Sequence, residues 1–142
     1  MPEPAKPILR SCSPDDVESI LAFWSRADVA GSLPDTAEAL RRRLERDADL
    51  FLVAEIEGTI VGTLIGGWDG WRGNLYRLAV DPAYRRRGIA RALVREVEGR
   101  LRKRGAKRVT ALVVREEQAA TAFWPAVGYD ADPTIRRHVR NL

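Results

Sequence analysis

Leu75-Tyr76-Arg77-Leu78-Ala79-Val80-Asp81-Pro82-Ala83-Tyr84-Arg85-Arg86-Arg87-Gly88-Ile89-Ala90 carries the strongest structural signal in the chain. Its first six residues read as the end of a strand running from Asn74 to Val80, which Asp81-Pro82 breaks. From Gly88 onward Ile89, Leu93, Val94, Val97 and Leu101 mark one face of a helix that stops near Gly105, a suitable residue just past a helix end. A turn that feeds a helix leaves the first amide N–H groups without internal partners, and with the helix dipole these form an anion site. Gly88 permits backbone torsions and a close approach that a side chain would block. Ala90 is small, and Arg85, Arg86 and Arg87 place positive charge where a diphosphate would bind.

Working outward, Lys6 to Arg10 reads as a first strand. Ser13-Pro14-Asp15-Asp16 offers a helix cap with proline at the first helical position, so a helix is expected from Pro14 to Arg26, with Val17, Ile20, Leu21 and Trp24 on its apolar face. A second helix is expected from Asp35 to Arg46, after a turn-rich loop from Asp28 to Pro34. The period then changes to that of strands, Leu50 to Ile56 and Thr59 to Gly67, around a hairpin turn at Glu57-Gly58. Past the long helix, Val109 to Val114 is a continuous apolar run, as expected of a strand buried on both faces. A short helix from Glu116 to Ala126 and one or two edge strands between Gly128 and Val139 complete the series. The order describes one α+β domain over residues 1–142, with helices packed on a central mixed sheet.

Composition bounds the function classes. A chain of 142 residues, 45% hydrophobic and 31% charged, is sized for a single core, which sets aside disordered and collagen-like classes. No apolar run approaches the roughly 20 residues that span a bilayer, and MPEPAKPILRSCSP lacks the apolar core of a secretory signal, so the cytosol is the expected compartment, without membrane association. One cysteine, Cys12, and one histidine, His138, are too few for a His/Cys metal site, and no metal is expected. The net charge of +4 is a modest bias towards anions, and 21 of the 24 cations are arginine, whose planar fork suits phosphate. That count also fits a coding bias of the genome.

The arrangement resembles the GCN5-related N-acetyltransferase (GNAT) family, whose acyl-CoA signature, Arg/Gln-x-x-Gly-x-Gly/Ala, follows a strand ending in an apolar triplet. Arg85-x-x-Gly88-x-Ala90 after Leu78-Ala79-Val80 matches it, and Glu117 to Tyr129 (EQAATAFWPAVGY) is similar to a second family segment. The hairpin from Gly66 to Arg72 further resembles the bacterial YpeA-like subgroup, whose substrates are poorly defined. The resemblance implies a mostly antiparallel mixed sheet of six to seven strands flanked by about four helices. It implies acetyl-CoA as co-substrate, an amine acceptor, and transfer by direct attack of the amine on the thioester. Main-chain groups of Leu78, Ala79 and Val80 would pair with the pantetheine arm like an added strand, and amides from Arg86 to Arg91, Ile89 and Ala90 among them, would surround the pyrophosphate. Phe123 would lie beside the pantetheine, while Glu117 stands where the family often has Asn.

The acid and base are less legible. The positions where relatives carry a glutamate base hold Asn74 and Leu112, and Trp124 replaces the tyrosine that commonly protonates the departing thiolate. Asp69 and Tyr76 are the candidates for catalytic contact: Asp69 because the hairpin should lie near the acceptor, Tyr76 because strand alternation puts it on the face of Asn74 and Leu78. Each has a plainer reading, Asp69 as a turn former before Gly70 and Tyr76, like Tyr129, as a core aromatic. Trp68, Trp71, Arg72 and Asn74 are candidate acceptor contacts, with Asp28 and Asp35 as further candidates whose direction nothing fixes, and Trp24 is either a pocket wall or part of a core stripe. Within acetyl transfer the acceptor is either a small molecule or a protein N-terminus or lysine, and two other functions compete: a CoA-binding protein without turnover, and a nucleic-acid module using Arg85 to Arg87, Arg100 to Arg104 and Arg136-Arg137. The latter lacks interleaved aromatics, so nucleic acid is not an expected partner, whereas a homodimer is compatible with the resemblance.

Overall fold

A computed structural model describes residues 5–27, 36–113 and 118–142, with backbone alone at residues 118–121. Strand β1 (Ile8–Ser11) leads through a 3₁₀ turn at Pro14–Asp16 into helix α1 (Val17–Arg26). Local chemistry fixes that entry. The Asp16 carboxylate accepts from the Ser13 amide at 2.8 Å, while Arg10 donates to its two oxygens at 2.7 and 2.9 Å. Helix α2 (Ala37–Asp47) starts at Thr36, whose hydroxyl accepts from the Ala39 amide at 3.1 Å. Asp35, Asp28 and the loop between them lie outside the described residues. Strands β2 (Phe51–Ile56) and β3 (Thr59–Trp68) are joined at Glu57-Gly58, both left-handed, as a tight hairpin requires. Then follow β4 (Gly73–Val80), α3 (Ile89–Arg104), β5 (Val109–Ala111) and α4 (Gln118–Ala126).

The strands lie in sequence order, β1-β2-β3-β4-β5, and the first three neighbouring pairs are antiparallel. One face of the sheet is covered by α1 and α2: Val17, Ile20, Phe23, Trp24, Leu40 and Leu44 join Phe51, Val53, Ile65 and Ala79 in one buried cluster. The four buried apolar residues of α1 contribute roughly 6–12 kcal/mol of gross burial, against about 1 kcal/mol for a cap, so packing rather than capping holds this helix. The opposite face is covered by α3. A Cβ at Gly66 would stand 2.7 Å from Val97 Cγ1, and one at Gly62 would stand 3.2 Å from Ile89 and Leu93, so α3 rests against β3 at side-chain-free positions.

The chain falls into two compact units, Met1–Thr110 and Ala111–Leu142. In the second, Trp124 packs edge-on against Phe123 and Tyr129, at centroid distances of 5.2 and 5.0 Å. The α+β class matches the sequence reading, but the strand count does not: five strands stand among the described residues, rather than six or seven. The run from Val109 is not a long buried strand: of its described residues, 109–113, the first three are β5 and Leu112 is 48% exposed, while Val114 lies outside the described residues. Between Gly128 and Val139 there is no strand. The Asp132 carboxylate accepts from the Thr134 amide and hydroxyl, committing the segment to an Asp-Pro turn, and an extended segment becomes a strand only by pairing its main chain with a neighbour.

Candidate functional site

Strand β4 carries one residue more than β3 can match. Thr63 pairs with Ala79 and Ile65 with Tyr76, so Arg77 and Leu78 together oppose Leu64, which is a β-bulge. Arg77 is left-handed there, at φ 57°. Its carbonyl accepts from the Thr63 hydroxyl at 3.0 Å, and the same hydroxyl accepts from the Trp24 indole N–H at 2.9 Å. Trp24 is therefore a core residue, stacked parallel to Phe51 at 6.5 Å, with the Arg77 guanidinium over its ring. The bulge also overturns one expectation. Strand alternation placed Tyr76 and Leu78 on one face, but the extra residue inverts the pattern. Tyr76 shares the α1–α2 face with Asn74 and Ala79. Val80, opposite Gly62, faces α3, and alternation puts Leu78 with it.

After β4 the backbone turns at once. The Asp81 amide donates to the Val61 carbonyl at 2.8 Å, its carboxylate accepts from the Ala83 amide at 2.9 Å, and Arg26 pairs with the same side chain at 3.5 Å. A 3₁₀ turn, Pro82–Tyr84, then leads to Arg85 in extended conformation, Arg86 at φ 64°, and Gly88 at φ 78° immediately before α3. Gly88 has no side chain to cap the helix, and a Cβ there would meet nothing within 4 Å. Ile89 is buried against β3, which leaves only its main chain to face the turn. Arg85, Arg86, Arg87 and Arg91 are exposed, with the Arg87 guanidinium over the Tyr84 ring at 4.9 Å, and Ala90 is half-buried. Open amides, a helix dipole and four exposed guanidinium groups suit a diphosphate.

At the other end of β4 the Tyr76 ring covers Gly67 on β3: a Cβ at Gly67 would stand 2.9 Å from the ring and 3.7 Å from the phenol oxygen. Arg43 of α2 reaches the same spot and donates to the Gly66 carbonyl. Tyr76 remains 39% exposed, a side chain whose ring lies over Gly67 while part of the residue stays open to solvent. Asp69 folds back on its own hairpin, accepting from the Trp71 and Arg72 amides at 2.8 and 2.6 Å. Those amide bonds, Arg72's first, hold its carboxyl below the usual carboxylate range, which suits a turn former better than a proton acceptor at neutral pH. Trp71 is 74% exposed under the Arg72 guanidinium, whereas Trp68 approaches Gly105 at the end of α3 remote from Gly88. Phe123 belongs to the second unit, and Glu117 lies outside the described residues.

The acetyltransferase (GNAT) family profile matches residues 17–129. The chain belongs to that family. An acetyltransferase from Photorhabdus laumondii is 43% identical over 109 residues, covering 77% of this GNAT chain and 76% of its own length. Among solved structures, the PaiA N-acetyltransferase of Thermoplasma acidophilum, in complex with coenzyme A, superposes with a TM-score of 0.76 at 21% identity over 89% of this chain and 91% of its own, which shows the shared fold. A GNAT family acetyltransferase from Brucella melitensis, in complex with acetyl-CoA, gives 0.64 at 26% identity over 88% and 83%. In this GNAT chain the sequence reading missed Thr63 and the bulge it braces. The available signal was a single hydroxyl inside an otherwise apolar run, Ile60 to Ile65, where a buried polar group needs partners.

Proposed function

We propose that the chain transfers an acetyl group from acetyl-CoA to a primary amine, and that the turn from Arg85 to Arg91 holds the pyrophosphate. One observation carries the reading: the left-handed Gly88 opens α3 with an uncapped first turn beneath exposed arginines, directly after a bulged strand. The family match runs across both compact units, which supports reading residues 1–142 as one catalytic domain. Leu78 to Val80 supply the edge along which the pantetheine arm lies. β5 has three residues against eight in β4, and Arg108, just before it, lies level with Gly73, so among the described residues β5 runs beside the Gly73 half of β4 rather than beside Leu78 to Val80.

The chemistry asks little beyond geometry. A neutral amine attacks the thioester carbon, main-chain N–H groups at the bulge stabilise the charge that grows on oxygen, and the C–S bond then breaks. The amine loses a proton and the thiolate gains one. Tyr76 is the candidate proton carrier, since it stands beside the bulge with its phenol accessible. Trp71, Arg72 and Asn74 line the approach of the acceptor. Asp69 holds the hairpin that presents them.

Calorimetry with acetyl-CoA tests the phosphate assignment. The wild type should bind, Gly88→Glu should lose binding by placing a carboxylate against the pyrophosphate, and Gly88→Ala should retain most of it. Arg86, already left-handed, shows that the turn tolerates a side chain in that conformation, so strain of roughly 1–2 kcal/mol should leave both variants folded. Retained affinity in Gly88→Glu would sink the placement. Release of free thiol on adding an amine identifies the acceptor. Binding without thiol release across a broad amine panel would instead favour a CoA-binding protein without turnover, in keeping with Asn74, Leu112 and Trp124 at positions that supply acid and base in relatives.

A further inference from the structure

Thr63 is fully buried in the middle of β3, where valine would pack as well without a hydroxyl to desolvate. Its hydroxyl makes two hydrogen bonds, one from Trp24 Nε1 and one to the Arg77 carbonyl. The second falls on the residue that most needs it. A bulge leaves the extra residue outside the regular ladder, and Arg77 sits in a left-handed conformation that costs a residue with a Cβ about 1 kcal/mol or more. Thr63 accommodates the displaced carbonyl, and Trp24 fixes the direction of the Thr63 hydroxyl by occupying it as acceptor. The indole is itself held, stacked on Phe51. Three elements thus converge on one peptide group: α1 through Trp24, β3 through Thr63, and β4 through Arg77.

We infer that Thr63, oriented by Trp24, is a positioning residue for acetyl transfer: it locks the Arg77–Leu78 peptide in the orientation that aims the following main-chain N–H at the thioester carbonyl. The inference rests on the proposed function above and deepens it. Without the lock, β4 can relax into regular pairing with β3. That slip returns Leu78 to the Tyr76 face and turns the N–H of that peptide to a new direction. The lock acts through the backbone and touches no substrate, so its loss should spare most of the cofactor affinity, the share that the Arg85 to Arg91 turn supplies.

The test uses acetyl-CoA carrying ¹³C at the thioester carbonyl, a probe that needs no acceptor amine. Bound to the wild type, the carbonyl resonance should move from its free position as the N–H polarises it. In Thr63→Val the shift should fall to about half or less, while calorimetric affinity for acetyl-CoA stays within about threefold. Thr63→Ser, which restores the hydroxyl, should restore the shift, and Trp24→Phe, which keeps the ring and removes the N–H, should give an intermediate value. A full shift in Thr63→Val overturns the assignment. So does a shift lost only in proportion to affinity or melting temperature, which makes Thr63 a packing residue. Should Thr63→Val fail to fold, Trp24→Phe carries the same comparison. A wild type that binds no acetyl-CoA overturns both this assignment and the reading beneath it.

Discussion

Two side chains show how differently this fold treats its reactive groups. Tyr76 is fixed by its ring over Gly67 and remains 39% exposed. Tyr76→Phe keeps that packing and removes only the proton carrier, so kcat for thiol release should fall by about a hundredfold with KM for acetyl-CoA unchanged. An unchanged kcat would assign protonation of the thiolate to water. Cys12 is the opposite case. It is only 4% exposed, and burial, helped by the nearby Asp16 charge, pushes its thiol up to about 12. The folded protein should therefore give no reaction with a disulfide reagent at pH 8 and one thiol per chain once denatured. That outcome also means a thiol assay of released CoA reads the reaction without background from the enzyme.

At the scale of elements, the packing of α3 on β3 sets where the uncapped helix start stands relative to β4. Gly66 is the tightest point, since any Cβ there meets Val97 Cγ1 at 2.7 Å. Gly66→Ala should cost about 1–3 kcal/mol in chemical denaturation and weaken acetyl-CoA binding as α3 is displaced. Adding Val97→Ala removes the opposing methyl, so the double variant should be less destabilised than the sum of the two single changes; strict additivity would show that the contact does not limit the approach. Periodicity made most of these elements legible: α1, α3, β2 and β3 lie within a residue or two of their expected bounds at each end, apart from the 3₁₀ turn that opens the first helix, because each buries a stripe that the sequence spells out. The bulge was not legible. The hydrogen bond that accompanies it joins Thr63 to Arg77, 14 residues apart, and the lone hydroxyl in the run signals a buried partner without saying which residue of β4 it is. Nor was the length of β5, since an apolar run such as Val109 to Val114 says nothing of whether a second strand lies beyond it. The turn between β4 and α3 was readable because its requirements are local: a left-handed glycine, a strand end and a helix start. The surroundings of Tyr76 were not, since its ring and Arg43 come to the same point, Gly67, only when α2 folds over β3.

For the whole molecule, ion pairs link the elements around the sheet and make acid the condition to which the fold should be most sensitive. Asp16 joins β1 to the start of α1, and its hydrogen bonds from Arg10, which outweigh the cost of burial, lower its carboxyl to about 2 from an ordinary 3.8. Asp47 joins α2 to α3. Burial there pushes its carboxyl up, but the Arg104 hydrogen bond at 2.6 Å and the charges of Arg104, Arg43 and Arg46 reverse that, and the net direction is down. A carboxyl lowered by folding stabilises the native state fully above its unfolded value. As pH falls through 4 towards 2 the unfolded chain takes up a proton that the folded chain does not, and the stabilisation drains away. For Asp16 a separation of about 2 units corresponds to about 2–3 kcal/mol, and its side chain is buried enough for solvent to screen little of it. Unfolding free energies measured in urea from pH 5 to pH 2 should therefore drop more steeply in the wild type than in Asp16→Asn, by about 2 kcal/mol across the interval, with Asp47→Asn flattening the curve in the same sense. Parallel curves for wild type and Asp16→Asn would mean that the Asp16 carboxyl titrates alike in the folded and the unfolded chain, and that its pairing with Arg10 adds nothing to stability.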